Sequence, residues 1–163
     1  MKQLFLIRHA KSDWGDPLIK DFDRPLNERG KRNAQEMAKR LIEKEVTIDA
    51  FISSPAKRAR KTAEIFAKEF KKKDSILFNE NLYLAAAETF FDIIGETNND
   101  FKSIAVFSHN PGITDFANML TNARIDNIPT CGIFAVKIHA NSWVNFQEAK
   151  KEFWFFDYPK AKS

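Results

Sequence analysis

Cysteine is almost missing from these 163 residues, with Cys131 standing alone. A single thiol excludes an intramolecular disulfide and any thiol-rich zinc centre. Long apolar runs are missing too: none approaches the ~20 residues that a membrane-crossing helix needs. Met1-Lys2-Gln3 leads straight into a short strand pattern rather than the apolar region of a secretory leader. These absences set the expectation of a cytoplasmic protein with no membrane partner. The phosphate-cradling signatures G-x-x-x-x-G-K-[ST] and G-x-G-x-x-G do not occur, which sets aside a nucleotide-binding α/β protein. Tyr and Trp are scarce at two and three residues, whereas Phe supplies 16, so the core is expected to be rich in Phe.

Charge of one sign is not strongly in excess. The net charge is +4 and the isoelectric point is near 9.1. That balance helps attract an anionic substrate. Lys and Arg alternate with Glu and Asp along helix-like segments instead of gathering into a stripe, so no nucleic-acid partner is expected. Lys71-Lys72-Lys73 reads as a solvated helix end.

The length suits one domain, 1–163, able to bury a sizeable core. Leu4-Phe5-Leu6-Ile7 is a short apolar run that stops at Arg8-His9, the pattern of a buried strand. A polar loop follows to Asp23, then Asn27 as helix cap and a helical pattern over 28–44. Ile48–Ile52 reads as a second strand. Ser54 and Pro55 then read as the cap and first position of a helix reaching about Lys72. Ile76-Leu77-Phe78 is a third strand, 86–97 a helix, 103–108 a fourth strand and 113–120 a helix. Gly132–His139 alternates like a strand. Trp143–Phe146 reads as its pairing partner, and Glu152–Phe156 as a last edge strand. Alternating strands and helices predict an α/β fold, a mainly parallel sheet with antiparallel edge strands.

Two junctions share one form. Arg8-His9 and Ser108-His109 both emerge at the end of an apolar strand, where ligands bind in parallel sheets. Arg58 falls in the first turn of the helix after Ser54-Pro55, where free N–H groups and the dipole favour anions. A guanidinium forks onto phosphate oxygens, and a neutral imidazole can attack phosphorus. If the two strands are neighbours, both rings meet over one crevice. Neighbouring arginines then lower the pKa of His9 and stabilise charge on the transferred group. A lone His or Arg is usually structural or exposed; only the combination of the two junctions with Arg58 points to phosphate chemistry. His139, in an alternating strand without a junction, keeps the duller reading. Asp49 and Asp92 read as caps or solvated charges.

The same residues carry a resemblance. Leu6-Ile7-Arg8-His9-Ala10 resembles the signature of the histidine phosphatase (phosphoglycerate mutase-like) superfamily, whose common form is Arg-His-Gly. Residues 54–63, from Ser54-Pro55 through Arg58-Ala59 to Thr62-Ala63, resemble its Ser-Pro-x-x-Arg-Ala-x-x-Thr-Ala element. Ser108-His109-Asn110-Pro111 resembles its late His-x-Pro element. Ala10, the following Arg24-Pro25-Leu26 and the short length resemble its SixA branch of phosphohistidine phosphatases. After Thr121 only Pro129-Thr130-Cys131-Gly132 matches, loosely.

The resemblance implies a three-layer sandwich. It implies a phosphatase with His9 as nucleophile, Arg8, Arg58 and His109 as phosphate pocket, Arg24 as a substrate contact, and no metal or cofactor. Ser12 joins the substrate-binding candidates. Mutase-like relatives take a leaving-group proton from an acidic side chain after the third strand. Glu80 lies there, and Asp21 and Asp23 are weaker rivals. The expected substrate is phosphohistidine on a protein, with a small phosphomonoester as the alternative. A closed mutase site is disfavoured, because few residues are available for a lid. A phosphate-binding module without turnover is the reading from another class, and an intact His9 argues against it. Cys131 has no arginine six residues on, so a cysteine-dependent phosphatase is poorly supported.

Overall fold

The computed structural model describes residues 1–161. Ten regular elements alternate along the chain: β1 (Lys2–Arg8), α1 (Glu28–Glu43), β2 (Ala50–Ser53), α2 (Lys57–Glu69), β3 (Ile76–Phe78), α3 (Ala87–Gly95), β4 (Ser103–Ser108), α4 (Gly112–Leu120), β5 (Ile133–Ile138) and β6 (Lys151–Asp157). The six strands form one sheet in the order β3-β2-β4-β1-β5-β6. β1, β2, β3 and β4 run parallel, while β5 and β6 are antiparallel at one side. The expected α/β class and mixed sheet are therefore present.

Strand periodicity decides which side chain goes to which layer. Successive residues point to opposite faces. Phe5 and Ile7 of β1 join Met37, Ala38 and Leu41 of α1 and Ala63, Phe66 and Ala67 of α2. Leu4 and Leu6 face the other way, toward Phe90 and Ile94 of α3 and Ile113 and Phe116 of α4. The central strands are apolar on both faces, because both are covered. Stacked and edge-on Phe pairs fill the two cores, including Phe90–Phe116 and Phe66–Phe107. Each buried Phe contributes roughly 1.5–3 kcal/mol.

Two expectations about local structure are corrected. Trp143–Phe146 is not a strand. Trp143–Asn145 forms a 3-10 turn, with Trp143 and Phe146 buried against the α3–α4 layer and the indole donating to the Phe101 carbonyl at 2.8 Å. Burial of two large rings outweighs their strand propensity, and β6 takes the pairing edge of β5. The second correction concerns α2, which starts at Lys57 after Ala56, with no side-chain cap. The Ser54 hydroxyl is used elsewhere, as described below. The lysine run is only partly a solvated end: α2 stops at Glu69, and Lys72 Nζ donates to the Ile48 carbonyl. Asn27 does cap α1, accepting from Gly30 N at 2.7 Å. Asp49 caps no helix: its carboxylate accepts from the N–H groups of Lys102 and Ser103 at the start of β4. Among the described residues no helix is long and apolar enough to cross a membrane.

Candidate active site

β1 and β4 are parallel neighbours, with Arg8 opposite Ser108. Both chains therefore leave the sheet side by side, and the His9 and His109 rings lie 5.2 Å apart between centroids. The His9 N–H donates to the Ser108 carbonyl at 3.1 Å, which locks the two junctions together. From the other side of β1, the Cys131 N–H is shared between the Arg8 and His9 carbonyls at 3.1 and 3.0 Å. Cys131 holds a positive φ of 61° to make this contact, a conformation that costs energy in any residue but glycine. Its thiol is buried, and that burial pushes its pKa up, so it is no nucleophile.

The tautomers follow from the partners. His9 Nδ1 lies 2.8 Å from the Ala10 carbonyl. A carbonyl only accepts, so Nδ1 carries the proton and Nε2 keeps its lone pair. His109 Nε2 lies 2.8 Å from Ser54 Oγ. That hydroxyl already accepts from the Ala56 N–H at 3.2 Å. Among the described residues Ser54 has no other acceptor for its own proton; donating it to Nε2 leaves the His109 proton on Nδ1, which is buried without a partner there. Both rings are pushed down to about 3. Burial is the largest cause for each, and the charge of Arg58 adds to it. Both are neutral at pH 7. Desolvation thus comes ahead of the arginines that the sequence led one to credit.

Three guanidiniums surround the rings, each anchored by its outer nitrogens. Arg8 Nη1 donates to the Ile128 carbonyl at 3.0 Å. Arg58, in the first turn of α2, donates to the Asp21 carbonyl at 2.7 Å and to Asp21 Oδ2 at 3.0 Å. Arg24 donates to Asp21 Oδ1 at 2.9 Å and to Ser12 Oγ, with Trp14 stacked 3.6 Å from the guanidinium carbon. In all three the Nε–H is buried and has no partner among the described residues. Each such donor costs on the order of 1–3 kcal/mol when nothing accepts from it. The charges of Arg8 and Arg58 act on both rings and that of Arg24 on His109, so three guanidiniums converge on two neutral imidazoles, a combination suited to an anion. Among the described residues no three His, Cys, Asp or Glu side chains gather to hold a metal ion.

The sequence did not point to Asp21 as a counter-ion. It joins Arg24, Arg58 and the Tyr83 hydroxyl, which donates to Oδ2 at 2.7 Å. Burial works to raise the Asp21 carboxyl, but hydrogen bonds from Tyr83 and Arg24 and the charge of Arg58 outweigh it and hold it well below the usual range. Asp21 therefore stays a carboxylate. Tyr83 packs edge-on against His109 and Phe22. Thr62 ties α2 to the loop after His9, donating to the Arg58 carbonyl and accepting from the Ala10 N–H. It is the Thr of the 54–63 element, so its motif position was a usable signal. Gly30 lets α1 approach that loop: a Cβ there would sit 2.1 Å from the Lys11 carbonyl. Ser12 is buried and holds Arg24. Glu80 is exposed in a 3-10 turn, and no hydrogen bond or ion pair of its carboxylate occurs among the described residues. His139 faces Glu152 at 3.1 Å, away from the site.

Residues 4–82 match the model of the histidine phosphatase superfamily, branch 1. SixA from Agrobacterium tumefaciens has the same fold with a TM-score of 0.82 and 25% identity, covering 97% of this chain and 98% of that one. The chain belongs to the histidine phosphatase superfamily. Within it, this histidine phosphatase is of the SixA type. A second structure, the protein histidine phosphatase SixA complexed with tungstate, aligns with a TM-score of 0.80 at 22% identity over 96% and 97% of the two chains. An uncharacterized protein of Mycobacterium tuberculosis is 30% identical over 151 residues, covering 86% of this chain and 92% of its own length. The chain is thus a phosphatase acting on a phosphorylated substrate.

Proposed function

We propose that this phosphatase hydrolyses phosphohistidine on a protein, without a metal, by way of a phosphohistidine on its own His9. The observation that carries the reading is the convergence of Arg8, Arg24 and Arg58 on two neutral imidazoles 5.2 Å apart, one of them, His9, with its Nδ1 on the Ala10 carbonyl and its Nε2 lone pair free. His9 Nε2 attacks phosphorus in line, and the bond from phosphorus to the substrate's imidazole nitrogen breaks. That nitrogen leaves with a proton from solvent. Water then attacks the phosphoryl group on His9, the P–Nε2 bond breaks, and inorganic phosphate departs. Arg8, Arg24 and Arg58 through Nε–H, and His109 through Nδ1–H, bind the non-bridging oxygens and neutralise charge as it develops. Ser12 and Asp21 hold the arginines in place.

A nitrogen leaving group favours phosphohistidine over an ester. It protonates readily, and the exposed Glu80 carboxylate makes no hydrogen bond to a pocket residue among the described residues. The single-domain organisation over 1–163 belongs to the same reading, since both junctions serve one pocket. The test compares kcat/KM for a phosphohistidine-carrying protein, free phosphohistidine and a panel of small phosphoesters, each with and without EDTA. The reading expects the phosphoprotein to lead and EDTA to change nothing. A phosphoester that leads, or inhibition by the chelator, overturns it.

A further inference from the structure

The sheet edge around the pocket carries large apolar side chains that none of the described residues covers. On the loop after Ser12, Trp14 is 76% exposed and Leu18 91% exposed, with Ile19 and Phe22 also open to solvent. The loop is shaped by its own carboxylates: Asp13 accepts from the Gly15 N–H and Asp16 from the Leu18 N–H. Leu18 stands in water beside that turn. Directly after Tyr83 in the chain, Leu84 is 70% exposed and has a φ of 57°. A leucine in the left-handed region is strained, and this one, mostly in water, recovers little of that cost through burial. Leu84 and the exposed Met119 border a groove of about 620 Å³ that also includes Asn110, next to His109. The two sides are continuous, because Phe22 meets Tyr83 edge-on at 5.2 Å.

The rim and the floor differ in charge. The floor holds Arg8, Arg24, Arg58 and the two imidazoles. The exposed loop carries Asp13, Asp16 and Asp23 against Lys20. A small polyanion gains from the floor and loses at the rim. A protein gains at both if its phosphoryl group is ringed by apolar and basic side chains. Because His9, His109 and Arg58 are buried, a histidine side chain on a partner reaches His9 only if the partner's surface lies against this rim.

We infer that Trp14, Leu18 and Phe22 on one side and Leu84 on the other form the docking surface for a folded phosphohistidine protein, one that presents its histidine on a convex face among apolar and basic residues. The inference rests on the protein-phosphohistidine reading above. Trp14 stacks on Arg24, and Phe22 adjoins Asp21 in the chain. Docking therefore bears directly on two groups that hold the phosphate pocket.

The test uses the full chain and a phosphotransfer domain carrying phosphohistidine on an exposed helix, with free phosphohistidine as the small probe. The variant is Leu18→Ser with Leu84→Gly. Both side chains are mostly in water, and glycine suits the backbone at 84, so the fold is retained. Burying two leucines at an interface is worth enough that kcat/KM for the phosphoprotein should fall by about tenfold or more. kcat/KM for free phosphohistidine should stay within about twofold, because no contact of the phosphate pocket is touched. Equal loss on both probes, or no loss on the protein, overturns the docking surface while leaving the phosphohistidine reading intact. A wild-type enzyme no faster on the protein than on free phosphohistidine overturns the protein-substrate reading, and the docking surface with it. Self-association of the wild type that the double variant abolishes, with both activities unchanged, assigns the surface to a second copy of this chain and also overturns the proposal.

Discussion

The junctions after β1 and β4 look alike and are held differently. Both place a histidine one residue beyond a buried strand, and the parallel register brings the rings together. His9 is fixed by its own neighbour, through Nδ1 on the Ala10 carbonyl. His109 is fixed by Ser54, 55 residues away in sequence. The first arrangement leaves a lone pair on Nε2 and the second leaves an unpartnered proton on Nδ1. One ring becomes suited to attack and the other to donate, although the strand endings around them match. The tautomer is set by the partner and not by the strand.

Breaking the two junctions separately tests that division. His9→Ala should lower turnover by a thousandfold or more, as loss of an attacking group does, on the order seen for other nucleophiles. His109→Ala should cost roughly tenfold less than that, as loss of one donor to the transferred group. Equal losses in steady-state assays would erase the distinction. Arg58→Ala should weaken vanadate binding by about 10–100-fold, because hydrogen bonds to a charged group are worth ~1.5–3 kcal/mol. An unchanged affinity would put Arg58 outside the pocket. Ser54→Ala frees the His109 tautomer and should lower kcat/KM by about tenfold. Imidazole nitrogen NMR should then show the His109 proton no longer confined to Nδ1, while His9 is unaffected.

Acid stability gives a smaller effect with a definite sign. Both imidazoles have folded values of about 3, against ~6.5 in an unfolded chain. Between those values the unfolded state binds more protons, so stability increases with pH through this window and is lost as pH falls below about 6.5. Each ring contributes at most ~1.4 kcal/mol per pH unit. The depressed Asp21 carboxyl adds loss of the same sign at lower pH. Urea midpoints at pH 7.5 and 5 check this, and His9→Ala should flatten the slope. Smallest of all is Glu80→Gln, expected to slow phosphoester hydrolysis more than phosphohistidine hydrolysis. Equal effects on the two substrates would remove a leaving-group role.

The strand junctions, Arg58 and the order of strands and helices were legible because local pattern encodes them. An apolar run ends in charge, a helix begins after Ser-Pro, and periodicity alternates between 2 and 3.6. Asp21 was not legible as a counter-ion. It meets Arg58 across 37 residues and Tyr83 across 62, and nothing local in Asp21-Phe22-Asp23 distinguishes one carboxylate from the other. Ser54 was misassigned as a helix cap for the same reason, since its actual partner lies on another strand end. Trp143 misled through its strand propensity, which burial in the α3–α4 layer overrode.

The central claim is that His9 Nε2 takes the phosphoryl group. Rapid acid-free quenching of the enzyme during turnover of radiolabelled phosphohistidine, followed by peptide mapping under alkaline conditions, measures it directly. The label should be acid-labile and alkali-stable, reside on His9, and vanish in His9→Ala. Label on any other residue, or full turnover in the His9→Ala enzyme, would contradict it.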